Sequence, residues 1–296
     1  MYYKKPKLLD LVRSKLRLKH YSYRTELSYI SWIRRFILFH GKRHPETMGE
    51  KEVEAFLTHL AVKKQVAAST QNQAFNAILF LYREVLGIEL AGMIDAVRSK
   101  RPQRLPTVMS RTEVFSLLDA MTGVPQLACR LMYGSGLRIM ETVRLRVKDL
   151  DFSLNQILVR NGKGAKDRIT VFPEQLQTEI KQHLKHVKVL HQNDLARGHG
   201  EVYLPYALAR KYRSAGRQWG WQYAFPSKSL SADPRSGKTR RHHLDPTTLR
   251  KAVRKAAHLV GIHKPVNCHS LRHYADSRIM PTHFVMFSHS HVIPIL

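Results

Sequence analysis

Arg138 and Glu141 close the run Tyr133-Gly-Ser-Gly-Leu-Arg-Ile-Met-Glu141. On a helix this spacing puts the two side chains one turn apart on the same face, within reach of an ion pair. Gly134 and Gly136 stand just before them. They interrupt the preceding helical pattern and permit a close backbone approach to a neighbour, a ligand among the candidates. His269 and Arg272 repeat the spacing in His269-Ser-Leu-Arg-His273. Between the two sites, Lys163 and Lys166 lie in Asn161-Gly-Lys-Gly-Ala-Lys-Asp167, a glycine-containing turn. A lysine there can reach a phosphate or a departing oxygen, and it can equally be a solubilising turn residue. A surface salt bridge is likewise the ordinary alternative for Arg138 with Glu141. The 17 histidines show neither a His-Glu-x-x-His run nor paired cysteine spacing, so neither a metal nor another cofactor is expected.

The turn that carries the lysines joins two apolar runs, 156–160 and 168–172, and predicts a β-hairpin. Helices surround it. Ser110-Arg-Thr-Glu113 is a capping box, followed by Val114, Leu117, Leu118 and Met121 as an inward face. Pro125 marks the next start, with Leu127, Leu131 and Met132 buried, and after Arg138 a new helix is expected through Val143, Leu145 and Val147. Asp245 begins a helix with Leu249, Val253 and Ala256 inside, and Arg250, Lys251, Arg254 and Lys255 outside; Gly261 closes it.

The first hundred residues read as helical throughout. Ser22 caps a helix whose expected face is Leu27, Ile30, Ile33 and Ile37, with Arg24, Arg34 and Arg35 off that face and Gly41 as the stop. Val53, Phe56, Leu57 and Leu60 follow Gly49. Ser69 opens a third helix with Ala74, Ile78, Leu81, Tyr82 and Val85, ended by Gly87. With a weaker segment at 8–18 this makes a bundle of about four helices. Lys63 and Lys64 on its polar side can track phosphates or simply face solvent.

Fifty Lys and Arg against 22 Asp and Glu give a net charge of +28 over 296 residues. The excess is spread over both halves, which argues for a long polyanionic partner, nucleic acid by default. Residues 99–107 break the helical pattern with two prolines and three cations, Arg101 and Arg104 among them, and read as a basic linker. The expected division is 1–98, a helical DNA-binding domain; 99–107, the linker; and 108–296, a second domain. Cys129 and Cys268 are too few for a disulfide scaffold. No apolar run is long enough to span a membrane, and a cytoplasmic, nucleoid-associated location is expected.

Arg138 in Gly-Leu-Arg-x-x-Glu, Lys163 in Gly-Lys-Gly-x-Lys-Asp-Arg, and His269-x-Leu-Arg272-His273 occur in that order. The ordered set, over roughly residues 5–273, resembles the tyrosine site-specific recombinases of the phage integrase family. The block from Leu195 to Tyr212, with Trp219-Gly-Trp221, Pro226 and Arg240-Arg-His-His243, is similar to the extra segment of the integron integrase branch, expected here at about 193–243.

The resemblance implies a mainly α fold with a small β-hairpin or sheet (α+β), built from a SAM-like core-binding bundle and a catalytic domain. It implies cleavage and rejoining of DNA through a phosphotyrosine, integrating or excising gene cassettes on a homotetramer, without cofactor or metal. Arg138 and Arg272 would then neutralise the nonbridging phosphate oxygens, because a guanidinium donates two parallel bonds. Lys163 would protonate the departing 5′ oxygen, with Lys166 as second choice; His269 would assist the proton transfer and Glu141 orient the cations. Trp219, Trp221, Tyr223 and Pro226, with His242 and His243 nearby, would stack swung-out bases. The alternative for both tryptophans is a hydrophobic cluster that packs the insertion onto its domain.

Past His273 the sequence departs from the family pattern. A Leu-Gly-His box and then a nucleophilic tyrosine are expected there. The chain reads Tyr274-Ala-Asp-Ser-Arg-Ile-Met-Pro instead, and residues 277–296 hold one basic residue, Arg278, and no acidic one. Tyr274 follows Arg272 too closely to be the nucleophile. On this reading 274–296 is an aberrant tail, produced by a frame change after His273 and early termination. The catalytic domain lacks its C-terminal part, tetramer assembly is in doubt, and cleavage should fail. The alternative function is a non-catalytic DNA-binding protein that occupies or inhibits recombination sites.

Overall fold

The computed structural model describes residues 7–90, 107–160 and 166–272, Arg235 excepted. The chain divides into two compact units between Arg104 and Leu105.

The first unit contains α1 (Leu8–Leu18), α2 (Tyr23–Phe39), α3 (Glu50–Thr58) and α4 (Ala68–Phe80). Ser22 caps α2 by accepting the Thr25 N–H at 3.1 Å. Val53, Phe56, Leu57 and Leu60 are buried as their spacing predicts, against Trp32, Phe36, Phe75 and Ile78. Leu27 is a correction: it is 52% exposed, and the buried face of α2 begins instead at Glu26, which is 3% exposed. Arg17 of α1 makes that burial tolerable through paired bonds of 3.0 and 2.8 Å to the Glu26 carboxylate. Ser69 lies inside α4, whose N-cap is Ala67 with no side-chain bond. Regular α geometry gives way to wider turns at His59–Lys63 and Leu81–Leu86. Gly87 ends the second of these at φ 69°. Tyr82 donates within this core to the Pro45 and Met48 carbonyls at 3.0 and 3.1 Å. Burial, with the Glu52 carboxylate adding to it, pushes its phenol up to about 12.

The second unit wraps a main core, with a smaller cluster of Val202, Leu204, Ala215 and Tyr223 beside it. α5 (Arg111–Asp119) opens on the predicted box: Ser110 Oγ accepts the Glu113 N–H at 3.1 Å, and Glu113 accepts the Ser110 N–H. α6 (Gly123–Gly134) starts two residues before Pro125. α7 (Ile139–Arg144) is shorter than its apolar spacing predicts. It stops because the Leu145 carbonyl accepts from Ala224 and the Val147 N–H donates to Gln222, which turns the chain extended.

β1 (Leu150–Asp151), β2 (Gln156–Val159) and β3 (Arg168–Val171) form an antiparallel sheet in sequence order, Gln156 facing Val171 and Val159 facing Arg168. Ile157 and Val159 point into the core. The sheet adds one strand to the expected hairpin. Long α8 (Glu174–Ala196) and short α9 (Tyr206–Lys211) follow, then a second hairpin of β4 (Pro226–Ala232) and β5 (Thr239–His243). α10 (Pro246–Leu259) is capped by Asp245, with Leu249, Val253 and Ala256 inside. Residues 268–272 form a last helical turn. The architecture is mainly helical with small antiparallel sheets, as expected. Among the described residues no helix is long and apolar enough to cross a membrane.

Candidate functional site

Arg138 is the N-cap of α7, and Glu141 sits one turn in. The carboxylate reaches back to accept the Arg138 peptide N–H at 2.7 Å, so the Arg-x-x-Glu spacing is itself a helix start. It also accepts from Arg138 Nη1 at 2.8 Å. The remaining donors come from Arg168 at the head of β3, whose Nη1 and Nη2 lie 2.8 and 2.7 Å from the two Glu141 oxygens. Glu141 is 8% exposed, and each arginine is 34% exposed. Burial alone would raise the carboxyl pKa, but the bonds from Arg168 and Arg138 outweigh it and hold Glu141 at about 2. It is therefore an anion at any physiological pH, flanked by two cations.

The junction before Arg138 is held against β3 at one more point and against the residue that caps α8 at another. Thr170 Oγ1 donates to the Ser135 carbonyl at 2.8 Å. A Cβ added at Gly134 would lie 2.6 Å from Pro173 Cγ, and Gly136 has φ 60°. The close approach expected from these glycines is thus, at Gly134, to the chain's own Pro173.

His269 and Arg272 lie on the turn 268–272, which has a capping arrangement unremarked in the sequence. Asn267 Oδ1 accepts the N–H groups of His269 and Ser270 at 2.7 and 3.3 Å, and Ser270 Oγ accepts the Asn267 N–H at 3.3 Å. Cys268 and Leu271 bury the inner side of this turn in the core that Ile139 also lines. That leaves His269 exposed and Arg272 half-buried. Burial pushes both thiols up, Cys268 to about 11, which leaves them poor nucleophiles.

Lys166, Lys63 and Lys64 are exposed. Lys163, Arg101 and Arg104 lie outside the described residues, as do His273 and Tyr274.

Trp219 and Trp221, in the segment between α8 and α10, are half-buried. Trp219 packs against the main core, 6.2 Å from the His191 ring. Trp221 joins a satellite cluster of Val202, Leu204, Ala215 and Tyr223, with Lys148 Nζ 2.8 Å above its ring centre. Arg146 ties this cluster to the domain: it donates to the Trp221 and Tyr203 carbonyls at 2.8 and 2.9 Å and stacks 3.9 Å over Tyr223. His242 and His243 lie 5.5 and 5.4 Å from Tyr223, ring centre to ring centre. Burial lowers both, His243 to about 4, with Arg144 and Arg146 adding to it, so the His243 imidazole is neutral at pH 7.

Sequence reasoning missed Arg168, Arg146 and the Asp194–Arg241 pair, whose two bonds of 2.5 and 2.8 Å anchor β5 to α8. For Arg168 a signal existed. It is the first residue after Lys-Asp at the head of a strand, but the alternation of Ile169 and Val171 assigns it to the outward face, whereas in the structure those two are exposed and Arg168 pairs with Glu141. Arg146 and Arg241 find their partners 75 and 47 residues away, and local spacing carries no trace of either.

Comparison with known proteins places these elements. Residues 8–91 match the phage integrase N-terminal SAM-like domain, and residues 107–284 match the phage integrase family, eleven residues beyond His273, where the sequence reading has the resemblance end. Curated proteins named "Integrase/recombinase" from Escherichia coli and Pseudomonas aeruginosa are each 45% identical over 267 residues, covering 90% of this chain and 79% of theirs. The fold is shared with the Tn1549 transposon integrase in complex with transposon right end DNA. There the TM-score is 0.58 at 15% identity, over 93% of this chain and 86% of that one. With both units matched and close relatives along nearly its full length, the chain belongs to the phage integrase family of tyrosine recombinases.

Proposed function

We propose that these 296 residues bind DNA at integron-type recombination sites through Arg138, Arg272, Lys163 and His269, without cleaving it themselves. The reaction of such a site is attack of a tyrosine hydroxyl on phosphorus. It leaves a 3′-phosphotyrosine and a free 5′-hydroxyl, and the reverse attack rejoins the strand. Arg138 and Arg272 would carry the nonbridging oxygens, and Lys163, or Lys166 in its place, would give the proton to the 5′ oxygen. His269 would take part in proton transfer at the nucleophile. Lys63, Lys64, Arg101 and Arg104 would hold the backbone, and half-buried Trp219 and Trp221 with His242 and His243 would receive unpaired bases.

The observation that carries the reading is the Arg138–Glu141 pair at the start of α7. Among the described residues Arg138 bonds Glu141 through Nη1 alone, and its side chain stays 34% exposed. The integron assignment rests on the aromatic segment between α8 and α10. The absence of cleavage by these residues rests on the content of 274–296, which hold no Leu-Gly-His box and no tyrosine after Tyr274. That content also favours a second reading, a protein that occupies recombination sites and inhibits an intact integrase.

The test is incubation with a nicked duplex carrying an integron attachment site, read as a covalent protein–DNA band and as binding over a salt series. Salt-sensitive binding with no covalent band is expected. A band that persists in Tyr274→Phe overturns the loss of cleavage, and binding indifferent to salt overturns the phosphate contacts.

A further inference from the structure

We propose that Arg168 is a positioning residue that occupies the Glu141 carboxylate and so keeps the Arg138 guanidinium available to an anion; this rests on Arg138 as a phosphate-binding group. A carboxylate has about four lone-pair sites. Glu141 receives four donors: the Arg138 peptide N–H, Arg138 Nη1, Arg168 Nη1 and Arg168 Nη2. The paired, fork-to-carboxylate geometry belongs to Arg168, and Arg138 is left with a single side-chain bond.

That division is decided by geometry. Arg138 and Glu141 are one turn apart on α7, where a side-chain pair forms on its own and a bidentate pair is the stronger form. If Arg168 were absent, the nearest unsatisfied donor for the second carboxylate oxygen would be Arg138 itself. Its fork would then close on Glu141, and the charge it presents outward would be cancelled. With Arg168 in place the Glu141 charge is balanced from β3, and Arg138 keeps its positive charge for a ligand. Arg168 stands at the head of β3 and reaches Arg138 through the shared Glu141 carboxylate, which is a positioning role. It is therefore assigned no contact with the phosphate.

The test measures binding of the full chain to a short duplex DNA at low salt, with the salt dependence and the thermal unfolding midpoint recorded for every variant. Arg138→Ala sets the level for loss of the contact. Arg168→Gln is expected to approach it, weakening binding about tenfold and lowering the salt slope by about one. The double variant Arg168→Gln with Glu141→Gln removes the carboxylate that would capture Arg138 and is expected to bind about threefold more tightly than Arg168→Gln alone. The double variant Arg168→Gln with Glu179→Gln restores the same net charge at a distant exposed site and should stay weak. Arg168→Lys keeps the charge without the fork and is expected to lose about threefold; it serves if the glutamine variant fails to fold. Parent-like binding by both Arg168 variants overturns the assignment. So does a Glu141 double variant as weak as Arg168→Gln alone. Equal binding by the parent and Arg138→Ala instead overturns the phosphate role of Arg138, and the assignment falls with it.

Discussion

Glu141 shows how one carboxylate organises a site built of cations. Its folded pKa of about 2 lies below the ordinary 4.5, so it adds stability that is fully present above pH 4.5 and is lost as pH falls toward 2. The difference corresponds to about 3 kcal/mol as an order of magnitude. Glu141→Gln is therefore expected to lower stability at pH 7 by up to that amount, with the gap to the parent narrowing between pH 4.5 and pH 3. Denaturant unfolding at those three pH values checks it; a gap of constant size would mean that the carboxylate's charge is not what matters. Gly134 offers a steric counterpart. Gly134→Ala puts a methyl against the Pro173 ring and is expected to destabilise by about 1–3 kcal/mol, seen as a lower midpoint at unchanged denaturant slope. Arg138, Glu141 and their spacing were visible in the sequence, because the pair is local. The third member was not, because Arg168 comes from a strand 27 residues later, and only the β2–β3 register brings it there.

At the scale of elements, helix starts were the most legible feature. Ser22, Ser110 and Asp245 each accept the backbone N–H groups that a cap must satisfy, a requirement that acts within one turn. Asn267 belongs with them. Asn267→Ala is expected to destabilise by about 1 kcal/mol and, by fraying the turn that carries His269 and Arg272, to weaken duplex binding as well. Thermal unfolding and a binding titration on one sample test both; loss of stability with full binding would show that the turn does not present those residues to DNA. Helix faces and ends were read less well. Leu27 fits the period of α2, yet Glu26 takes the buried place because Arg17 on another helix neutralises it. The run Val143, Leu145, Val147 alternates as an extended segment would, and partners near residue 223 decide in favour of that over a longer helix.

For the whole molecule the charge of +28 works in two directions. Like charges repel within the folded chain and attract a polyanion from outside it. Raising salt from about 0.05 to 0.5 M, across which the screening length falls from more than 10 Å to less than 5 Å, is therefore expected to raise the unfolding midpoint while weakening duplex binding. Differential scanning calorimetry and a binding isotherm over the same series check the opposite signs; a midpoint that falls with salt would place the charges in stabilising pairs instead. The +28, the helical character, the caps and the order of the Arg, Lys and His–Arg motifs are properties of the linear chain, set by composition and by contacts within a few residues. The Arg168 clamp on Glu141, the burial of Glu26, and the Arg146 and Arg241 anchors of the aromatic segment between α8 and α10 exist only after distant segments pack. A buried ion has to be met by whichever donor the fold brings within 3 Å, and distance along the chain does not encode which one that is.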